Sequence, residues 1–357
     1  MHAWRNRWVW AGALTLALAG CGSATSSGQP ASKPAPATSA APSAAAPKQL
    51  VHVTMVEAVS SPAYAPVFLA QKLGYFQAHG VSVTVSPLQG GSTAAAALIG
   101  GSAQFDAGVA SDVLLADAKG NHLESIAAIN NSIFLALDMS TTWAKAHGIT
   151  ANTPLNDKLK ALKGAKIGIT APGSLTDLAL RYMLGQVGLK PNVDYHEVAL
   201  GSPAANLAAL SAGTTQAAIF DPSFADTAVQ KGVGLYIGSG TDFPVLNNAA
   251  FGCVVVDRSY AEAHPDVTRA VAQSIAEADN FILDHPQEAL QDLYPLFKLP
   301  KSILDYAVPR YNFARDGLTT QQAWDNVAQI FVQNGLLTPE QGKAVAKNFT
   351  NQYVQGG

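Results

Sequence analysis

The chain has 357 residues, of which 48% are hydrophobic and 13% are charged, and its formal net charge at pH 7 is −3. This composition indicates a folded protein with a sizeable core, and it excludes the strongly basic surface that a nucleic-acid partner requires. The two cysteines are Cys21 and Cys253; if Cys21 is modified, Cys253 has no partner for a disulfide.

The start of the chain has the pattern of a bacterial export signal. Arg5 and Arg7 precede a mostly apolar run that is shorter than the roughly 20 residues of a membrane-spanning helix. The run ends in Leu-Ala-Gly-Cys at residues 18–21, which resembles the lipobox of bacterial lipoproteins. Residues 1–20 are therefore predicted to be a signal peptide and Cys21 to be the acylated N-terminus. An ordinary cleaved signal with a chance cysteine is the alternative.

The segment after the cysteine has the composition of a spacer. Residues 22–48 are almost entirely Ala, Ser, Pro, Gly, Thr and Gln, with no aromatic residue. Such a segment buries too little apolar surface to offset its ordering entropy, and its prolines keep it extended. Residues 21–49 are therefore predicted to be a lipidated, disordered tether. This predicts a location at the outer face of the cytoplasmic membrane, or in the periplasm.

Strands and helices alternate from Leu50 onward. The alternation of apolar residues over 51–55 predicts a strand with one buried face, and a helix is predicted from about Ala65. A second strand is predicted at 81–85. Ser92 or Thr93 then caps an alanine-rich helix.

The same order of elements recurs at an offset of 112 residues. Residues 97–104, with the pattern AL-x-x-GS-x-Q, are echoed by AL-x-x-GT-x-Q at 209–216. Because one offset fits strand, loop, helix and strand together, we predict an α/β protein with two similar lobes. Their sheets are expected to be mainly parallel, with ligands outside the carboxyl ends of the strands. Two such lobes facing each other predict an interlobe cleft.

The last third of the chain has a different pattern. After about Asn247 one apolar strand contains Cys253, which is predicted to be a buried structural thiol. Helices follow, with apolar residues at helical spacing over 267–283 and around Trp324. These positions are predicted to face the core.

Signatures of catalysis and of cofactor binding are incomplete. The run GVGLYI at 232–237 lacks the third glycine of a dinucleotide fingerprint and leads into a strand-like segment. GGSTA at 90–94 ends in alanine where a nucleophile elbow has glycine. The eight histidines are scattered, without the spacing of metal ligands. We therefore predict a protein that is not an enzyme and has no cofactor or metal.

Small hydroxyl residues, often beside glycine, recur where strands are predicted to end and helices to begin. These positions are Ser60, Ser61, Gly90, Gly91, Ser92, Thr93, Ser111, Gly173, Ser174, Thr176, Gly201 and Ser202. Converging helix N-termini can bind an anion through unpaired amides and the helix dipole. Ser and Thr are also ordinary helix caps. Both interpretations stay open at each position.

The charges beside these loops narrow the predicted ligand. Lys and Arg are absent from the loops, which disfavours a multiply charged phosphate ester and permits a singly charged sulfonate. Glu57 or Asp221 could pair with a ligand amine, and Tyr64 or Phe220 could stack on a ring. Each of the four could equally be a cap, a solvated charge or a core aromatic.

Several longer motifs resemble a known family. They are APVFLAQKLGYF at 65–76 followed by GV at 80–81, QGGS at 89–92, QFDAG at 104–108, HPDV at 264–267, DHPQEA at 284–289, and DGL at 316–318 before Trp324. Together they resemble the solute-binding proteins of ABC importers, in the branch that handles nitrate, sulfonates, taurine and thiamine-precursor pyrimidines.

The resemblance implies a periplasmic-binding-protein-like Venus flytrap. Lobe I would comprise residues 50–138 and 247–357, including the C-terminal helices, and lobe II residues 139–246. Hinge segments are expected near 130–138 and 241–249. The protein would close on a small solute as a monomer and deliver it to an ABC permease and its ATPase.

Position in the family and the charges together predict the ligand-binding residues. They are Glu57, Ser60, Ser61, Tyr64, Gly90, Gly91, Ser92, Thr93, Val109, Ser111, Gly173, Ser174, Thr176 and Asp221. The preferred ligand is a small organic anion such as an aliphatic sulfonate or taurine. The alternatives are a thiamine-precursor pyrimidine or another small heterocycle, ligand sensing without transport, and an enzyme on the same fold. The lack of a cysteine cluster counts against the single-turnover activity of the eukaryotic pyrimidine synthases.

Overall fold

The computed structural model of the chain describes residues 49–57, 60–88 and 91–355, without the side chains of residues 91 and 92. The predicted signal peptide, Cys21 and nearly all of the tether lie outside the described residues, as does Gly90.

The first sheet has five strands in the order β2-β1-β3-β10-β4. The strands are β1 (Val51–Glu57), β2 (Val81–Pro87), β3 (Phe105–Val109), β4 (Leu123–Ala128) and β10 (Gly252–Asp257). β1 pairs in parallel with β2 and β3, whereas β10 is antiparallel to both β3 and β4. Four strands therefore run in one direction, and β10 runs against them.

The second sheet repeats this arrangement, in the order β7-β6-β8-β5-β9. Its strands are β5 (Ala136–Ser140), β6 (Lys166–Ile169), β7 (His196–Ala199), β8 (Ala217–Phe220) and β9 (Gly234–Ser239). β5 is antiparallel to β8 and β9, and the other strands share one direction. The predicted fold class, with mainly parallel α/β sheets, is confirmed.

Helices and short 3₁₀ turns connect the strands and cover the sheets. The helices are α1 (Ala65–Lys72), α2 (Tyr75–Ala78), α3 (Gly91–Ile99), α4 (Ala110–Asp117), α5 (Thr141–Ala146), α6 (Leu155–Lys160), α7 (Leu175–Gly185), α8 (Pro203–Ala212), α9 (Pro222–Gln230), α10 (Pro244–Asn247), α11 (Arg258–Ala263), α12 (Pro265–Asp284), α13 (Pro286–Leu293), α14 (Lys301–Ala307), α15 (Gln321–Gln333) and α16 (Pro339–Val345). The 3₁₀ turns are Pro62–Tyr64, Gly240–Asp242, Val308–Arg310 and Arg315–Gly317.

The internal duplication is visible in matching hydrogen bonds. Oε1 of Gln104 accepts from the amide of Thr54 at 2.9 Å, and Oε1 of Gln216 accepts from the amide of Lys166 at the same distance. Each glutamine directly precedes a strand and bonds to the parallel strand beside it, which is β1 for Gln104 and β6 for Gln216. The repeated motif therefore serves the same local purpose in both halves.

The chain crosses between the sheets twice. The first crossing joins β4 to β5 and the second joins β9 to β10, so each antiparallel strand belongs to the sheet that the chain has just entered. β5 begins at Ala136, so the predicted boundary between residues 138 and 139 falls inside this strand. The two crossings overlap the predicted hinge segments, which stay predictions.

The C-terminal helices carry the apolar faces that the sequence predicts. Val271, Ile275 and Ala278 of α12 are buried, as are Trp324 and Phe331 of α15. Thr320 caps α15 by accepting from the amide of Ala323 at 3.1 Å. Within the described residues, no helix combines the length and the apolar character needed to cross a membrane.

Candidate functional site

Most of the predicted ligand residues follow the carboxyl ends of parallel strands, where such sheets bind ligands. In the first sheet, Glu57 ends β1, and Val109 ends β3 just before α4. In the second sheet, Gly173 follows β6, and Asp221 follows β8. These positions arise because each strand passes directly into the loop that starts the next helix.

The edges of the two sheets meet at a hydrogen bond between Ser61 and Asp221. The Ser61 hydroxyl donates to Oδ2 of Asp221 at 3.0 Å, and both residues are buried. Oδ1 of Asp221 accepts from the amide of Ser223 at 2.8 Å and from the hydroxyl of Tyr311 at 3.4 Å. Both oxygens of Asp221 therefore have protein partners, so this carboxylate joins the halves of the molecule and caps α9.

Three hydroxyl groups form a compact cluster at the end of β6. Oγ1 of Thr170 lies 2.7 Å from Oγ of Ser174 and 2.7 Å from Oγ1 of Thr176. Ser174 and Thr176 are 2.8 Å apart. Hydroxyls both donate and accept, so the cluster can rearrange its hydrogen bonds to suit a ligand of either polarity. Thr170 was not predicted as a site residue, although it directly follows the strand.

An acidic network lies behind this cluster. Oδ2 of Asp177 accepts from the amide of Gly173 at 2.6 Å, which Gly173 presents from a left-handed conformation with φ of 78°. Arg181 contacts Oδ1 of Asp177 at 2.5 Å and Oε2 of Glu197 at 2.8 Å. The arginine is thus shared by two carboxylates and adds no net positive charge at the strand end.

Side chains already cap most of the helix N-termini that the sequence suggested as an anion cradle. Ser61 accepts from the amide of Ala63 at 3.2 Å, and Ser202 accepts from that of Ala205 at 3.2 Å. Asp221 takes the amides of Ser223 and Phe224 at the start of α9. These contacts favour capping at Ser61, Ser202 and Asp221.

The first sheet and the helix after β3 contain carboxyl oxygens that lack partners. Within the described residues, Oε1 of Glu57, both carboxyl oxygens of Asp106 and Oδ2 of Asp112 are buried without a hydrogen bond. In the described part of the chain, none of these three residues forms an ion pair of 4.0 Å or less. Buried polar groups are normally hydrogen-bonded. This edge therefore offers acceptors to a ligand that donates hydrogen bonds.

Burial changes the titration of this group. It raises the pKa of Glu57 to about 7, against a backbone hydrogen bond at Ser61, and it raises the pKa of Asp112 to about 7. Burial, with the nearby Asp112 and Glu57, raises the pKa of Asp106 well above its usual range. The pKa of Tyr64 is raised by burial and by the same carboxyls. The four side chains therefore lie close enough for the carboxyls to influence the titration of Asp106 and Tyr64.

The remaining predicted residues are placed as follows. Ser60 is exposed, Ser111 is buried in the first turn of α4, and Thr93 is exposed in the first turn of α3. Gly91 begins α3. Phe220, suggested as a stacking residue, packs in a core cluster with Leu210 and Phe224.

Cys253 is buried, as the sequence predicts, and burial raises the pKa of its thiol. Among the described residues, no group of three or more His, Cys, Asp or Glu side chains is arranged to hold a metal ion.

Comparison with solved structures identifies the class of fold. The periplasmic nitrate-binding protein NrtA of Synechocystis superposes with a TM-score of 0.68 and 16% identity, over 85% of this chain and 87% of that chain. The periplasmic aliphatic sulphonate binding protein SsuA of Escherichia coli gives 0.66 and 19%, over 86% and 99%. At these identities the likeness establishes the fold, which is that of periplasmic binding proteins.

The sequence itself defines the family. The pattern of the NMT1-like family matches residues 44–293, and the chain belongs to this family. A curated relative is the 4-amino-5-hydroxymethyl-2-methylpyrimidine phosphate synthase THI13 of Saccharomyces cerevisiae. It is 23% identical over 311 residues, which are 82% of this chain and 85% of that protein.

Proposed function

We propose that the protein is the extracytoplasmic solute-binding component of an ABC importer. It captures a small organic molecule between two lobes and delivers it to a permease driven by an ATPase. The proposed role is binding without chemical change. The ligand residues are those predicted from the sequence, with Thr170 added.

One observation carries this proposal. The hydrogen bond from Ser61 to Asp221 joins the strand ends of the two sheets, across two crossings of the chain. A contact of this kind forms when the two edges approach and is lost when they separate. Closure of two domains around a ligand uses such a pair of states.

The polarity of the site narrows the ligand within the predicted class. The end of β6 offers the hydroxyls of Thr170, Ser174 and Thr176. The first sheet offers the unpartnered carboxyl oxygen of Glu57. A molecule with an acid group at one end and an amine at the other matches both. Among sulfonates, this favours taurine over simple alkanesulfonates.

A thiamine-precursor pyrimidine is the second candidate ligand. Its amino group would also donate to Glu57, and the ring of Tyr64 is buried in the same region. The relative THI13 is named for a reaction that forms a pyrimidine phosphate. Ligand sensing without a permease remains a third possibility with the same site.

The proposed location follows from the sequence and from the fold class. Solved proteins of this fold include periplasmic ones. We propose that Cys21 carries the lipid, that residues 21–49 are the tether, and that the folded part acts as a monomer at the outer face of the cytoplasmic membrane.

A thermal-shift screen of the full chain, purified in detergent, tests the proposed function. The panel contains taurine, ethanesulfonate, nitrate, bicarbonate and aminopyrimidine thiamine precursors. A ligand at about 100 times its dissociation constant adds about 2.7 kcal/mol to the free energy of unfolding, which raises Tm by several degrees. We expect a shift that weakens when Ser174 and Thr176 are changed to Ala. No shift with any member of the panel would contradict the proposed ligand classes.

A further inference from the structure

A cavity that is separate from the predicted ligand residues lies beside the two crossings of the chain. We call it the crossover cavity; its volume is about 290 Å³. Residues of both crossings line it, including Phe134 from the first and Asn247 from the second. None of the predicted ligand residues lines it. A cavity of this size holds a small molecule and not only a bridging water.

Two opposite charges face this cavity without pairing with each other. Asp226 of α9 and Arg310, which follows α14, both line it. Burial raises the pKa of Asp226 to about 7, and the charge of Arg310 opposes this rise. No ion pair of 4.0 Å or less joins the two residues in the described part of the chain. A ligand that carries both charges can bridge this gap.

One oxygen of Asp226 has no hydrogen-bond partner in the part of the chain that the structure describes. This oxygen, Oδ2, is buried. The neighbouring Asp138 is fully buried, and neither of its carboxyl oxygens has a partner. Burial and the nearby Asp226 raise the pKa of Asp138 to about 7. An ammonium group in the cavity would favour the charged form of Asp226 and reduce the repulsion between the two carboxyls.

Tyr306 holds the guanidinium of Arg310 in position. Its guanidinium lies over the ring of Tyr306, 3.1 Å from the ring centre, and it donates one hydrogen bond to the carbonyl of Tyr306. A guanidinium has five N–H donors, and those of Arg310 that have no partner among the described residues can bind a carboxylate. The stacked ring fixes the plane in which a carboxylate would be bound.

Aromatic rings supply the apolar walls. Phe134 is buried and packs edge-on against Phe251 and Tyr311, with ring centres 4.7 and 5.0 Å away. Tyr236 and Tyr306 are partly exposed at the cavity. A wall fixed in this way loses little entropy when a ligand binds.

We propose that the crossover cavity is a second ligand site, for a small zwitterion of the amino-acid type with an apolar side chain. The ammonium group lies against Asp226, the carboxylate on Arg310, and the apolar side chain against Phe134 and Tyr236. This site is independent of the proposed solute site and of any transported molecule.

Titration calorimetry of the full chain in detergent tests this assignment with leucine and two matched analogues. Isocaproate lacks the ammonium group, and isoamylamine lacks the carboxylate. We expect leucine to bind and each analogue to bind at least about tenfold more weakly, because each loses one charge-assisted hydrogen bond.

Single variants test which residue binds the ammonium group and which binds the carboxylate. Asp226→Asn should remove the preference for leucine over isocaproate, and Arg310→Gln should remove the preference over isoamylamine. Asp157→Asn and Arg315→Gln change the same charges outside the cavity and should keep both preferences. Absence of leucine binding, equal binding of the analogues, or loss of leucine binding in a Ser174→Ala variant would overturn the proposal. The comparison of leucine with its two analogues uses the native chain and needs no variant. It tests the crossover cavity even if no solute binds at the strand ends.

Discussion

Ser61 and Asp221 are 160 positions apart in the chain, and the hydroxyl of one donates to the carboxylate of the other at 3.0 Å. Ser61 belongs to the loop after β1 and Asp221 to the loop after β8, so the bond joins the two sheets. Asp221 is also held by the amides of α9 and by Tyr311, which fixes the acceptor before Ser61 approaches. The bond is therefore a contact that separation of the lobes must break.

Removing this hydroxyl should favour the open arrangement. A hydrogen bond to a charged group contributes about 1.5–3 kcal/mol. In Ser61→Ala we expect part of this free energy to be lost from the closed state only, so the radius of gyration without ligand should rise. Small-angle X-ray scattering of the full chain measures the change. Ser259→Ala removes an exposed hydroxyl whose hydrogen bond is local, to Asp257, and should leave the radius unchanged. An unchanged radius in Ser61→Ala would contradict this role.

The carboxyl of Glu57 should make binding of an amine dependent on pH. Its pKa is raised to about 7 by burial, so it is mostly neutral at pH 6 and mostly charged at pH 8. The affinity for taurine should therefore rise across this range, and the rise should disappear in Glu57→Gln. Isethionate has a hydroxyl in place of the amine and should show little dependence on pH. Calorimetric titrations at pH 6, 7 and 8 measure the affinities for taurine and isethionate. An equal change of affinity with pH for the two ligands would exclude the contact with Glu57.

The local half of this fold could be read from the sequence. Gln104 and Gln216 occupy the same place in the repeated motif. Each side chain accepts a hydrogen bond from a backbone amide 50 residues earlier in the chain. Contacts within one unit leave a pattern at a fixed offset. The antiparallel insertion of β5 and β10 leaves no such pattern, because it depends on how the two halves exchange strands.

The site was only partly predictable for the same reason. Small hydroxyl residues after a strand end predicted Ser61, and the charges beside the loops predicted Asp221. Nothing in the spacing indicated that the two would bond to each other. Asp106 belongs to the family motif at 104–108, but the motif does not indicate that its carboxyl is buried without a partner. That property arises only when the core is packed. Tyr311 approaches Asp221 from the C-terminal segment, which the repeat does not include.

Buried carboxyls should make the folded protein more stable in mild acid than at alkaline pH. The pKa of Asp138 is about 7 when folded, against about 4 for an unfolded aspartate. Between these values the folded state holds a proton that the unfolded state has lost, so the free energy of unfolding falls as the pH rises from 4 to 7. Asp138→Asn should remove the part of this dependence that Asp138 contributes, whereas other buried carboxyls such as Glu57 and Asp112 keep theirs. The free energy of unfolding at pH 8 should rise by up to a few kcal/mol, on the order of the pKa difference.

Thermal unfolding at pH 5 and pH 8 measures the effect of Asp138→Asn. The exposed Asp157→Asn serves as the matched control and should leave both melting temperatures unchanged. A native chain that melts at a higher temperature at pH 8 than at pH 5 would contradict the assigned sign.

The tether prediction concerns Cys21. If Cys21 is acylated, the mature chain begins at this residue, carries a lipid and sediments with membranes. Cys21→Ser should release the folded part into the soluble fraction with its melting temperature unchanged, because the lipid is predicted to be on the tether that precedes the folded part. Mass spectrometry of the N-terminal peptide and membrane fractionation measure the two effects. A native chain whose N-terminal peptide carries no lipid would exclude the lipoprotein assignment.

The second crossing depends on the absence of a side chain at Gly240. A Cβ at this position would overlap the carbonyl oxygen of Ile133, a backbone atom of the first crossing that cannot move independently. Gly240→Ala should therefore force the two crossings apart and lower the free energy of unfolding by about 2–4 kcal/mol. Gly185→Ala is the matched control, because a Cβ there meets no atom within 4 Å and the residue ends a helix. That change should be neutral or stabilise by up to about 1 kcal/mol, since alanine loses less backbone entropy than glycine. Urea unfolding of both variants measures the difference, and equal stability of the two would show that the crossings do not pack as tightly as the backbone contact requires.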